Sequence, residues 1–479
     1  MTRAVAAALV IGISFVSAAL AKEDAIPRGE LVERVVVRAD ASHAYALYLP
    51  SAYTPERAWP ILYCFDPVAR GAVPVERFRE AAERYGWIVV GSYNARNGPT
   101  SVSLDAAKKM WEDTHARFAI DDRRIYTTGF SGGARVATLV AYGCETCVAG
   151  VIAHGAGFPT SYNPAEKKLP LPVRFGYFAA IGRDDFNFPE IVALDRALDR
   201  IDVRHTVRRF EGAHEWAPAD VCVEAVEWME LAAMRAGSRS KDAALVDAIY
   251  ASWLARARAL ETAGDRYEAF LLYEAAYAAF EGARDTSDVA TRIAALRETK
   301  EVKSGPKSES DEIKRQSSLA SEVASYAAAR KDQDQRLVAG QEFRRALNAL
   351  KERSRDERDS PERRVARRAL HQVFAWYFET GLMLADQGKP GEAAEALDVA
   401  ADLAPKSPEV HYRLAAARAS DGDRKRAIEA LRRAVEEGFA DAARLGVDPA
   451  FQQLRDESEF RRLLETIHKD EPDTPGDQE

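Results

Sequence analysis

Between residues 31 and 235 the chain alternates short β-rich runs with amphipathic helical stretches, and after Gly237 the alternation stops. Strands are read at 31–38, 43–49, 61–65, 87–92, 124–128, 149–154, 175–181 and 205–210. Helical periodicity fills 75–85, 104–118, 132–142, 189–200 and 216–235. Two strands in succession at the start make an antiparallel edge hairpin. The alternation that follows requires mostly parallel strands joined by crossovers, with helices on both faces of the sheet. An α/β domain is therefore expected over 22–236. Beyond it Ala, Arg, Glu and Leu dominate and β-branched runs vanish, so the rest is expected to be all-α. A chain of 479 residues accommodates this division, because single cores stop growing near ~250–300 residues.

Within the helical part, 237–300 reads as a hairpin region with a weak repeat. The polar stretch 302–311 (VKSGPKSESD) reads as a flexible linker inside a 301–360 linker-and-helix segment. Ser360-Pro361 restarts a helix, with a hydroxyl placed to cap and Pro in the first turn. In 361–470, Gly388, Ala393 and Leu397 recur as Gly422, Ala427 and Leu431, an offset of 34 residues. That period, with Gly at the inter-helix turn and Ala where helices cross, resembles the tetratricopeptide repeat. A weaker copy lies at Gly264, Ala269 and Tyr273, out of phase with the pair. The resemblance implies a groove for a protein partner, while helices that only cover the sheet domain or dimerise it are the alternative. Residues 471–479 read as a disordered tail.

The N-terminus has Arg3, then an apolar run over 4–21 that ends in Ala19-Leu20-Ala21 before Lys22-Glu23-Asp24. This is the pattern of a secretory signal peptide at 1–21 and places the mature protein in a periplasm or outside the cell. A signal anchor would need a longer span. Cys144 and Cys147 close a predicted helix at its C-terminal end, the wrong end for a redox pair. A local disulfide is expected there, with Cys64 and Cys222 as buried free thiols.

The element that carries chemistry is Gly129-Phe130-Ser131-Gly132-Gly133, which follows a strand and opens a helix. A Ser on such a turn is strained and exposed, and small residues are needed on either side of it. Its hydroxyl needs a base and an acid, which in this arrangement follow in the order acid, then His. His214, in a Gly-containing loop between the last strand and last helix, lies where the base belongs, with an ordinary loop histidine as the alternative. His205 opens a strand and reads as buried or on an edge, while His154 ends the strand after the Ser and reads as a pocket wall. Gly182-Arg183-Asp184-Asp185 supplies the acid. The spacing favours Asp185, with Asp184 as the alternative.

Residues 45–220 resemble the α/β-hydrolase superfamily, and within it the secreted esterases related to feruloyl esterases and polyhydroxyalkanoate depolymerases. The matching stretches are Tyr48-Leu49-Pro50 with Tyr53, Trp59-Pro60-Ile61-Leu62, 129–133, 182–185 and 212–216. The resemblance implies Ser131 as nucleophile, His214 as base and Asp185 as acid. It also implies an oxyanion hole built from the Gly132 N–H and a donor in the loop after 61–65. These esterases usually carry His-Gly there, whereas this chain has Phe65-Asp66-Pro67-Val68. Pro67 has no N–H, which leaves Asp66 or Val68. The Asp66 side chain reads either as a turn former or as a group that repels anions and binds cations.

The expected activity is cleavage of a small-molecule or polymer carboxylic ester through an acyl-enzyme. A peptidase, an acyltransferase or an inactive scaffold with partner-binding repeats are the alternatives. The 53 residues between Ser131 and Asp185 leave no room for a large lid. Tyr162, His154 and Trp216 are candidates to line the substrate site. Trp87, Trp111 and Trp216 read as core or pocket wall, and Arg363, Arg364, Arg367 and Arg368 as a solvated basic face. A formal charge of −8 argues against nucleic acid as the ligand. No phosphate loop, metal cluster or cofactor fingerprint is found, and the mechanism requires no cofactor.

Overall fold

The computed structural model describes residues 26–144, 146–159, 173–330, 332 and 334–470. The proposed signal peptide, the 471–479 tail and Tyr162 lie outside these residues. Eight strands form one sheet: β1 (Leu31–Val36), β2 (Ala44–Tyr48), β3 (Trp59–Phe65), β4 (Ile88–Ser92), β5 (Ile120–Phe130), β6 (Gly150–His154), β7 (Gly176–Gly182) and β8 (His205–Phe210). Their order is β1-β2-β4-β3-β5-β6-β7-β8. Only β2 runs against the rest. This order and sense fit an α/β-hydrolase sheet, and every strand falls where the β-branched runs place it.

The intervening helices are α1 (Ala72–Tyr85), α2 (Thr100–Arg117), α3 (Gly132–Gly143), α4 (Phe188–Arg200) and α5 (Ala219–Ala236). The central strands are buried on both faces, so β3 reads WPILYCF with every residue buried. Cys64 and Cys222 are buried free thiols, and Cys144–Cys147 is a disulfide at the end of α3.

Among the described residues eleven α-helices follow: α6 (Ala243–Thr262), α7 (Arg266–Phe280), α8 (Ser287–Arg297), α9 (Lys300–Ala329), α10 (Arg336–Ser354), α11 (Pro361–Asp386), α12 (Pro390–Leu403), α13 (Pro408–Ser420), α14 (Arg424–Glu436), α15 (Ala442–Val447) and α16 (Ser458–Asp470). The expected boundary at Gly237 is not a break in the core. Ile249, Trp253, Phe280 and Val302 belong to the same apolar cluster as Trp87 and Trp228 of the sheet domain. Between the two halves, α5 buries Glu224, Glu227 and Glu230. Each has a charged or ring N–H partner: Arg208 for Glu224, Trp253 for Glu227 and Trp87 for Glu230.

Two sequence expectations fail in the helical half. The stretch 302–311 is not a flexible linker but lies inside the 30-residue α9. Its polar side chains are held by partners distant in sequence, which local composition does not reveal. Glu309 faces Arg209 at 2.7 Å and Arg196 at 3.3 Å, and Gly305 packs on the Tyr267 ring. Pro306 forfeits one helical N–H. Nor are the arginines of α11 a solvated face, because Arg368 is 1% exposed and spans between the two halves.

The offset of 34 is realised as equivalent positions. Gly388 and Gly422 take φ of 71° and 84° at the turns of two helical hairpins, α11–α12 and α13–α14. Ala393, Leu397, Ala427 and Leu431 are buried within them. Gly264 (φ 89°), Ala269 and Tyr273 occupy the same places in α6–α7.

Candidate active site

The chain passes from β5 into α3 so tightly that side chains are excluded around Ser131. A Cβ on Gly129 would lie 2.1 Å from the Gly133 oxygen, and one on Gly133 would lie 2.0 Å from the Phe65 oxygen. Ser131 itself takes φ 53° and ψ −121°. Such a conformation is costly for a residue with a Cβ, and it persists only where the surroundings fix it. The Ser131 N–H donates to the His154 carbonyl at 2.8 Å, which ties the turn to β6.

The His214 Nε2 stands 2.9 Å from Ser131 Oγ, and its Nδ1 stands 2.9 Å and 3.0 Å from the two Asp185 carboxylate oxygens. The imidazole is flanked by the rings of Phe130 at 4.6 Å and Phe186 at 4.3 Å. Asp185 is fully buried. Burial raises the pKa of its carboxyl, against the opposing pull of the His214 hydrogen bond and the Asn187 N–H.

Of the two candidate acids, the fold brings Asp185 to His214, whereas Asp184 pairs with Arg367 of α11 at 2.7 Å. His205, expected to be buried or on an edge, lies on β8 and bonds Asp195 at 3.1 Å, apart from the Ser131–His214 pair.

The expected substrate contacts fare less well. His154 is fully buried and packs edge-on to Phe78 and against Trp216. Burial lowers its pKa to about 3, with Arg77 adding to the effect. It is a neutral core residue, not a pocket wall. Trp216 is also buried, and its Nε1–H donates to Asp66 Oδ2 at 2.9 Å. Neither position reveals in sequence which way its side chain turns: His154 ends β6, Trp216 lies in the loop between β8 and α5, and both are buried.

Asp66 is neither a free charge nor a cation site. Burial alone would raise its pKa, but hydrogen bonds from Arg70, Trp216 and the Val68 N–H outweigh burial and lower it. The Val68 N–H is thereby spent on Asp66, at 3.0 Å, and is no donor for substrate. A Cβ on Gly133 would sit 3.3 Å from the Asp66 nitrogen, so that nitrogen flanks the start of α3.

Composition hid one border of the site. Helix α11 carries His371 and Glu379 within the electrostatic reach of His214. Both keep open surface, and desolvation by the surrounding protein lowers the His371 pKa and raises that of Glu379. The signal in the sequence was the basic run at 363–368, whose arginines lie 183 and 185 residues from the groups they bond.

No family model matches this chain, and no curated protein is similar to it. Among solved structures it is similar to a ferulic acid esterase at 16% identity, over 42% of this chain and 97% of that one, with a TM-score of 0.37. Esterase LipW from Mycobacterium marinum is 18% identical over 42% of this chain and 82% of its own, with a TM-score of 0.35. A mutant feruloyl esterase module from Clostridium thermocellum, complexed with sinapinate, is 14% identical over 41% and 85%, with a TM-score of 0.34.

Proposed function

We propose that this chain is a serine hydrolase that cleaves carboxylic esters through an acyl-enzyme. The observation that carries the reading is the unbroken hydrogen-bond chain from Asp185 through His214 to Ser131, seated on a strained strand–helix turn. Ser131 Oγ attacks the ester carbonyl and gives its proton to His214 Nε2. The oxygen of the tetrahedral intermediate accepts from the Gly132 and Asp66 N–H groups. The imidazolium, held by Asp185, then protonates the leaving alcohol as the C–O bond breaks. Water enters, gives a proton to His214 and hydrolyses the acyl-serine, which restores Ser131.

The paired cysteines at the end of α3 support an oxidising compartment such as a periplasm. The equivalent Gly, Ala and Leu positions support tetratricopeptide-like hairpins that take a protein partner.

Hydrolysis of p-nitrophenyl acetate and butyrate tests the activity. Turnover should fall ~10³-fold or more in Ser131→Ala, His214→Ala and Asp185→Asn, with folding intact by circular dichroism. A wild type that neither turns over these esters nor reacts with a fluorophosphonate overturns the reading in favour of a scaffold.

A further inference from the structure

The loop that carries Asp185 is held from outside the sheet domain. Arg368 of α11 donates from Nε to the Arg183 carbonyl at 2.6 Å and lays its guanidinium over the Phe188 ring at 3.8 Å. Arg367 takes the Asp184 carboxylate at 2.7 Å. From α9, the buried Gln316 donates from Nε2 to the Phe186 carbonyl at 2.9 Å and to Gln372 Oε1 of α11 at 3.0 Å. Three of the four successive residues 183–186 are thus gripped through carbonyls or side chains, and the fourth, Asp185, is the one bonded to His214. Phe186, whose carbonyl Gln316 holds, is also the residue whose ring lies 4.3 Å from the imidazole.

We infer that helices α9 and α11 complete the catalytic centre, and that Gln316 is a positioning residue acting through Phe186 on His214. The inference rests on the serine hydrolase reading above. Gln316 touches neither Ser131 nor His214, so its effect must pass through the loop. A buried amide that serves two acceptors fixes both, because losing either bond leaves a buried polar group unpaired. Misplacing reacting groups by ~1 Å costs up to ~10²-fold in rate. Part of the clamp is enough to be seen.

The test is Gln316→Met, which keeps the length of the side chain and removes both donors. It is compared in the full chain with wild type, His214→Ala and the double variant. The kcat and KM for p-nitrophenyl acetate and the rate of fluorophosphonate labelling by intact mass are measured alongside Tm. We expect kcat and labelling rate to fall about ten-fold with KM within about two-fold, and no further fall when the substitution is added to His214→Ala. Wild-type rates in Gln316→Met, or an equal fractional loss in both backgrounds, overturn the positioning role. If Gln316→Met does not fold, Gln372→Met takes its place, with a smaller loss of the same kind expected and the same background comparison deciding. A wild type that does not label overturns the serine hydrolase reading itself, whereas a wild type that labels beside unaffected variants overturns only the clamp.

Discussion

His154 shows how a residue type suggestive of chemistry can serve the core alone. Its ring nitrogens have no hydrogen-bond partner among the described residues, and it is packed between Phe78 and Trp216. With a folded-state pKa of about 3 against an ordinary 6.5, the unfolded chain binds a proton at this site that the native chain refuses. Stability therefore falls as pH drops from about 6.5 towards 3 and is unaffected above that window. His154→Phe should flatten this acid limb, which is checked by comparing urea midpoints of variant and wild type at pH 5 and pH 8. That Ser131, His214 and Asp185 come together was legible because each lies just after a strand, near a glycine. What was not legible is which way a side chain points. Asp184 and Asp185 are adjacent, and they part in the fold: Asp185 bonds His214 while Asp184 bonds Arg367.

At the level of elements, strands were read correctly because β-branched and aromatic runs are a local signal, and the β5–α3 turn carries its own steric signature. Helix α9 was missed because its apolar positions are sparse and its stability comes from contacts made elsewhere. Gly305 is the sharpest case. Ala ordinarily gains about 1 kcal/mol over Gly inside a helix. Here an added Cβ would meet the Tyr267 ring at 2.4 Å, and overpacking costs about 1–3 kcal/mol. Gly305→Ala should consequently lower Tm in differential scanning calorimetry despite its better propensity. A rise in Tm would show that Tyr267 yields freely.

Across the whole molecule, charged groups stitch the sheet to the helices. Arg209 of β8 is within 3.2 Å of Glu268 in α7 and 2.7 Å of Glu309 in α9, all three buried or nearly so. Removing Arg209 leaves Glu268 and Glu309 in a poorly solvated seam, with Glu309 keeping only the half-exposed Arg196, a situation that costs up to about 3–5 kcal/mol. Arg209→Met should lower the urea midpoint by a corresponding amount, while the double variant Arg209→Met with Glu309→Gln should recover part of the loss. These pairings span tens of residues of sequence, so neither composition nor periodicity could show them. That is why the sharp change of composition at Gly237 looked like an independent boundary.

The shared core and the grip of α11 on the acid loop bear on how such a chain can be recombined. A fusion joined at Gly237 would transplant Ser131 while leaving behind the distal scaffolding of the Asp185 loop, whatever new helices were supplied. Exchanges of the C-terminal hairpins are better spliced after Asp386, at the turn where α11 ends. The seam visible in the composition and the seam tolerant of grafting thus lie about 150 residues apart.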